Sequence, residues 1–257
     1  MIKISIKTNT YIHAVALACA LLLGISGVCR AQADHAREKR WADEITPAIL
    51  VGDVTWIAQK SGHKFLAIHA PNAKARAGVI VVHGMGVHPD WGLINPLRSQ
   101  LSEQGYATLS VQMPVLASDA KPEQYPSVFP DAAERLHAAV TFLRGNGHNK
   151  IVIVSHSLGS RMVNEYLLSS GAIDAWVSVG ISNGVYTQPE QFKAPVLDIY
   201  GDKGFPVVMQ NAARRAESIK RVRGSAQIEV AGADHYFNGA ETELVRHVKR
   251  FLDRVTR

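Results

Sequence analysis

The 257-residue chain is 47% hydrophobic and 19% charged, an ordinary globular composition that argues against a disordered chain. Its formal charge is +6, and Lys3, Lys7 and Arg30 fall in the first 33 residues, which hold no acid. The +3 left on residues 34–257 is too mild to point to a nucleic-acid partner.

Lys3 and Lys7 precede a mostly apolar run over residues 11–28. Ala31-Gln32-Ala33 then supplies a small-x-small cleavage pattern before the charged stretch from Asp34. This is the layout of a secretory signal peptide. Residues 1–33 are therefore expected to be removed, leaving residues 34–257 as a single exported domain, periplasmic or secreted. The apolar run is near the lower length limit for a span and Arg30 interrupts its end, so no membrane span is expected in the mature chain. An uncleaved anchor and a lipoprotein at Cys29 are the alternatives. Both cysteines, Cys19 and Cys29, lie in the segment expected to be lost. The mature domain then has no thiol for catalysis, metal binding or disulfides, which suits an oxidising compartment.

Residues 34–48 read as a charged lead-in with a helical turn around 37–41. Strands are expected over residues 49–57 and 64–69, with no helix between them. Gly78–Val82 is a continuous apolar run, as in strands buried on both faces of a parallel sheet. A helix over 95–104 and a strand over 106–112 come next. Pro114, Pro122, Pro126 and Pro130 mark residues 114–130 as a loop, and Asp131 reads as the cap of a helix ending near Arg144. Strands over 150–154, 175–179, 195–200 and 226–230 alternate with helices over 158–169, 207–221 and 241–255. The basic run Arg214, Arg215, Lys220, Arg221 and Arg223 reads as a solvated helix face. The alternation makes an α/β class: a mostly parallel sheet of about eight strands, helices on both faces, and the first two strands paired antiparallel at one edge.

Ser155-His156-Ser157-Leu158-Gly159 lies directly after a buried strand and directly before a helix. That context is what a nucleophile elbow requires, with Ser157 as nucleophile. The turn demands small residues two places either side of it, and Ser155 and Gly159 comply, although Gly is the commoner first residue. The helix after the turn aims its N-terminal amides at the site, which favours a developing anion. The plainer reading is a serine-rich strand-to-helix loop.

His83-Gly84-Met85-Gly86 comes after an earlier buried strand, and together with the elbow it makes the chain resemble the α/β-hydrolase superfamily. The resemblance implies that the backbone N–H groups of Met85 and Leu158 form an oxyanion hole, with His83 structural. It implies that His235, in Ala233-Asp234-His235 between the last strand and the last helix, is the base. The acid belongs on the loop Gly201-Asp202-Lys203-Gly204, but Gly204 stands at its usual place. Asp202 is then the first candidate, Asp198 the second, and a dyad without an acid the third. The segments 85–91, 109–114 and 196–200 resemble an uncharacterised family of exported bacterial α/β-hydrolases.

The resemblance implies a carboxylic-ester hydrolase working on a small-molecule ester through a Ser157–Asp202–His235 triad and an acyl-enzyme. A thioesterase, amidase or acyltransferase would use the same residues, and a non-catalytic binding or envelope-maintenance protein on a hydrolase scaffold is the alternative from another class. Trp91 and Asn95 are expected at the site mouth, and a short cap over 114–130 points to small or medium substrates. No cofactor is expected, since no G-x-G-x-x-G comes after the first strand and no phosphate loop occurs. No metal is expected either, since the spacing of His83, His88 and Asp90 matches no helix-borne ligand pair.

Overall fold

The strands that read as unbroken apolar runs are the ones the fold buries on both faces. β3 (Gly78–Val82), β4 (Ala107–Val111), β5 (Ile151–His156) and β6 (Ala175–Val179) have no exposed position. The computed structural model describes residues 32–169 and 171–257, so residues 1–31 of the expected signal peptide lie outside the described residues. Residues Gln32–Arg257 form one compact unit.

The sheet has eight strands in the order β1-β2-β4-β3-β5-β6-β7-β8, with β1 at Asp53–Ala58, β2 at Lys64–Ala70, β7 at Val196–Lys203 and β8 at Ala226–Asp234. β2 runs antiparallel to both β1 and β4, and every other pair is parallel. The antiparallel edge results from the short connection between β1 and β2, which leaves no room for a crossover helix. Helices α2 (Ile94–Glu103) and α7 (Glu241–Val255) cover one face, where Leu97, Leu101, Leu244 and Val248 meet Val79, Val81, Val152 and Val154. Successive strand residues point to opposite faces, so Ser155 turns towards α4 (Leu158–Leu168), which packs beside α3 (Phe129–Gly145) on the other side.

Three local expectations change. The lead-in is a full helix, α1 (His35–Ile45), because Asp34 Oδ1 accepts the Arg37 amide at 2.9 Å as a cap. Its Ala42 and Ile45 pack on Leu66 and Ile68. The proline stretch holds a 3₁₀ turn at Pro122–Val128, and α3 begins at Phe129 rather than after Asp131. Pro130 fits that first turn because an N–H there has no intrahelical acceptor. The helix expected over 207–221 is two helices, α5 (Pro206–Gln210) and α6 (Ala212–Ile219), broken at Asn211.

The basic run on α6 is not all solvated. Arg214, Lys220, Arg221 and Arg223 lie at the surface or partly so, but Arg215 is buried. Its Nε donates to Asp198 Oδ2 at 2.9 Å, and Tyr186 Oη and Gln227 Nε2 also donate to that carboxylate. The Arg215 Nη1 donates to the carbonyls of Gly184 and Val208. Burial pushes the Asp198 carboxyl up while Arg215 opposes the shift. Removing one partner of a buried pair leaves the other charge uncompensated, so Arg215→Ala should lower the unfolding free energy by roughly 3–5 kcal/mol. Urea denaturation measures this, and a loss below about 1 kcal/mol would mean the pair is not the tie between α6 and β7 that the hydrogen bonds describe.

Candidate active site

Ser157 sits between β5 and α4 with φ 54° and ψ −117°, a backbone conformation that a non-glycine residue adopts only under constraint. The constraint comes from both sides. The Ser157 amide donates to Val179 O at 2.8 Å, and its carbonyl accepts the Ser160 amide at 3.1 Å. Gly159 lets the first turn of α4 close on the end of β3: an ideal Cβ there would lie 2.3 Å from His83 O and 2.9 Å from Val82 Cγ1. Ser155 tolerates a side chain because its hydroxyl is used. It accepts from Trp176 Nε1 at 2.8 Å and lies 3.0 Å from Ser160 Oγ.

The approach that Gly159 permits brings the outgoing loop of β3 alongside the elbow. A Cβ on Gly84 would lie 3.4 Å from Ser157 Cβ, so the backbone entering Met85 passes beside the Ser157 side chain. No acceptor for the Met85 or Leu158 amide occurs among the described residues. His83 holds this loop rather than facing the pocket. Its Nε2 accepts the Met113 amide at 2.9 Å, which leaves the proton on Nδ1 to donate to Gly84 O at 2.8 Å. Burial drives its pKa down to about 3, so it is a neutral strut. From above, Arg37 of α1 donates to Gly86 O at 3.1 Å and to Leu116 O at 2.8 Å, tying two loops together.

His235 comes directly after β8, and its Nε2 lies 2.9 Å from Ser157 Oγ. Asp234 fixes the turn that presents it, accepting the Tyr236 amide at 2.9 Å and the Asn238 amide at 3.1 Å. Phe205 stacks on the imidazole at 3.8 Å between centroids, with the rings 15° from parallel. His156 adds a contact from below, its Nε2 lying 3.0 Å from His235 O, and burial holds the His156 pKa down at about 3. Desolvation also lowers His235, to about 4, against an opposing pull from Asp234. The imidazole is therefore neutral at pH 7 and able to accept a proton.

The acid expected at Asp202 is not brought to His235. Asp202 is exposed, and its Oδ1 accepts the Gly232 amide at 2.7 Å across the irregular end of the β7–β8 pair. The reason is geometric: β7 continues through Lys203, so the Asp202 carboxylate leaves towards β8 rather than towards His235. Asp198 is committed to Arg215 inside the strand. Gly204 lies near the His235 backbone, where a Cβ would lie 4.0 Å from His235 Cα. The His235 Nδ1 edge faces Gly180, whose Cβ would lie 3.2 Å away, and no carboxylate reaches it among the described residues.

Ser157 opens into a pocket of about 350 Å³ walled by Met85, Trp91, Phe205 and Tyr236, with Arg161 and Ser182 also at its edge. A larger concavity of about 710 Å³ lies between β1 and α3, away from Ser157. Trp91 lines the pocket as expected, whereas Asn95 Nδ2 donates to Asp90. Asp90 is itself paired with Arg98, so it is committed to a structural ion pair. A different trio, His35, Glu38 and His63, has donor atoms within 4.8 Å of one another. Arg135 Nη1 already donates to Glu38 Oε2 at 3.0 Å, and a dication at that oxygen would face the guanidinium. Phe205, Arg37 and Arg161 are site residues that sequence reasoning misses. Only Arg161 carries a signal, its place one helical turn after Ser157.

The eight-stranded sheet and the strand–turn–helix at Ser157 have the α/β-hydrolase fold. The model of a protein family of unknown function, DUF3530, matches residues 50–133. Among solved structures, dienelactone hydrolase from Anabaena variabilis superposes with a TM-score of 0.64 at 19% identity, over 79% of this chain and 97% of that one. Est1E from Butyrivibrio proteoclasticus gives 0.61 at 16% identity, over 78% and 98%. A serine hydrolase without lid from Xanthomonas campestris gives 0.63 at 13% identity, over 80% and 95%. No curated protein matches the sequence. Among the described residues no helix is long and apolar enough to cross a membrane.

Adding a methyl at Gly159 forces α4 off the β3 loop. Gly159→Ala should destabilise the protein by about 1–3 kcal/mol, the usual range for overpacking. Gly145→Ala, with nothing within 4 Å of its Cβ, is the control and should change stability little. Equal urea midpoints for the two variants would contradict the close approach.

Proposed function

We propose that this chain is a serine hydrolase of carboxylic esters, working through Ser157 and His235. The observation that carries the reading is the 2.9 Å contact between His235 Nε2 and Ser157 Oγ at a strained elbow. His235 takes the hydroxyl proton as Ser157 Oγ attacks the acyl carbon. The Met85 and Leu158 amides receive the oxyanion of the tetrahedral intermediate, a role favoured by the positive end of α4. His235 then passes the proton to the leaving alcohol and, in the second half, takes one from the water that cleaves the acyl-enzyme. Phe205 stacking and the Asp234 turn hold the imidazole in the place of an acid, so turnover is expected to be slower than for a complete triad. The pocket volume supports a small-molecule ester as substrate, and the pattern of residues 1–33 supports export to the periplasm or beyond. The position of Gly204 favours one second reading, a binding protein on a hydrolase scaffold.

Release of p-nitrophenol from esters of increasing acyl length tests the proposal. Ser157→Ala should abolish it, and His235→Gln should lower kcat/KM by at least about 100-fold, the scale of general-base catalysis. Asp202→Asn should leave the rate within about twofold, since its carboxylate serves Gly232. No hydrolysis by the wild-type protein at any acyl length would favour the binding reading.

The base must be neutral, and its pKa is low. The rate should therefore be on its plateau at pH 7 and fall only as the pH drops through about 4. A pH profile of kcat/KM whose acid limb sits at or above the ordinary histidine value would mean that an acid supports His235 after all.

A further inference from the structure

Every fully buried arginine among the described residues has an acid against it: Arg98 with Asp90, Arg135 with Glu38 and Asp131, Arg215 with Asp198. Arg161, which is half-buried, does not. It stands on α4 four residues after Ser157, one turn along, and lines the same pocket. Its guanidinium makes no hydrogen bond or ion pair among the described residues. Its one close partner is the Phe129 ring, with Cζ 5.2 Å from the centroid. Glu165, a further turn along α4, is exposed and makes no ion pair with it.

Among the described residues lining the pocket, Arg161 carries the one formal charge. No carboxylate lines it, and His156, the other ionisable group deep in the wall, is kept neutral by burial. Desolvation lowers the Arg161 pKa with no acid to offset it, yet a guanidinium stays protonated at neutral pH. The Phe129 ring and the remaining solvent offset part of that desolvation, and an arriving anion would supply the counter-charge that the described residues do not. The mouth is different in character, with Met85, Phe205 and Tyr236 exposed as large apolar groups.

We propose that Arg161 is a specificity-determining residue that receives a carboxylate of the substrate, so that the site selects esters carrying one anionic carboxylate near the scissile bond and an apolar remainder across the mouth. This rests on the serine-hydrolase reading for the reaction, but the anion subsite is separable from it. The fork of the guanidinium suits the two oxygens of a carboxylate.

Two pairs of esters test the two possible positions of the charge: 4-nitrophenyl hydrogen glutarate against its methyl ester, and 4-acetoxybenzoate against its methyl ester. The wild-type protein should favour the charged member of at least one pair by about tenfold or more in kcat/KM, most of it in KM. Arg161→Gln should erase that preference by lowering kcat/KM far more on the charged ester than on the neutral one, and Arg161→Lys should keep part of it. No preference in either pair overturns the proposal. So does an equal loss on charged and neutral esters, which would make Arg161 a packing residue on Phe129. Calorimetric titration of glutarate into the Ser157→Ala protein reads the subsite without turnover. Binding that disappears when Arg161→Gln is added upholds the subsite even if no ester is cleaved, and absence of binding together with no charge preference overturns it.

Discussion

The close approach of α4 to the end of β3 is the constraint on which the site rests. Gly159 is the only kind of residue that fits under His83 O, since a Cβ there would lie 2.3 Å from that oxygen. With α4 seated this low, Ser157 has to turn through a positive φ to connect it to β5, and its side chain is left standing above the sheet. The same approach brings Gly84, and with it the chain entering Met85, beside Ser157. The strained turn is over-determined by hydrogen bonds to Val179 and Ser160, as a conformation of this energy must be. The positions of the Ser157 side chain and of the start of α4 thus depend on one packing contact.

Burial also sets the three histidines nearest the centre to their neutral form. His83, His156 and His235 are all pushed down by desolvation, and each is used as a neutral hydrogen-bonding group. His83 and His156 serve the backbone, while His235 faces the hydroxyl. The fixed positive influences on the pocket are then the α4 amides and the Arg161 guanidinium. Acidic groups are spent elsewhere: Asp198 on Arg215 in the strand, Asp202 on the β8 backbone, Asp234 on its own turn.

The parallel sheet and its antiparallel edge were legible because buried strands such as Gly78–Val82 carry unbroken apolar runs, and because the residues between β1 and β2 leave no room for a helix. Ser157 and His235 were legible through strand–turn–helix context and position after the last strand. The acid was not. Which way Asp202 points depends on how far β7 continues beside β8, and the register irregularity between Gly201 and Lys203 has no signature in the residue string. The burial of Arg215 was hidden for a related reason: its partner lies on a strand 17 residues earlier, and within its own helix it looks like one more cation of a basic run. Phe205 could not be assigned to His235 because their meeting depends on two loops converging.

The most direct test of the central claim is peptide mass mapping of the protein after reaction with a fluorophosphonate at neutral pH. A single adduct on the peptide carrying Ser157, formed at a rate that falls sharply in His235→Gln, is the result the geometry predicts. An unmodified Ser157, or an adduct whose rate is unchanged without His235, would contradict the assignment of this serine and histidine as a reacting pair.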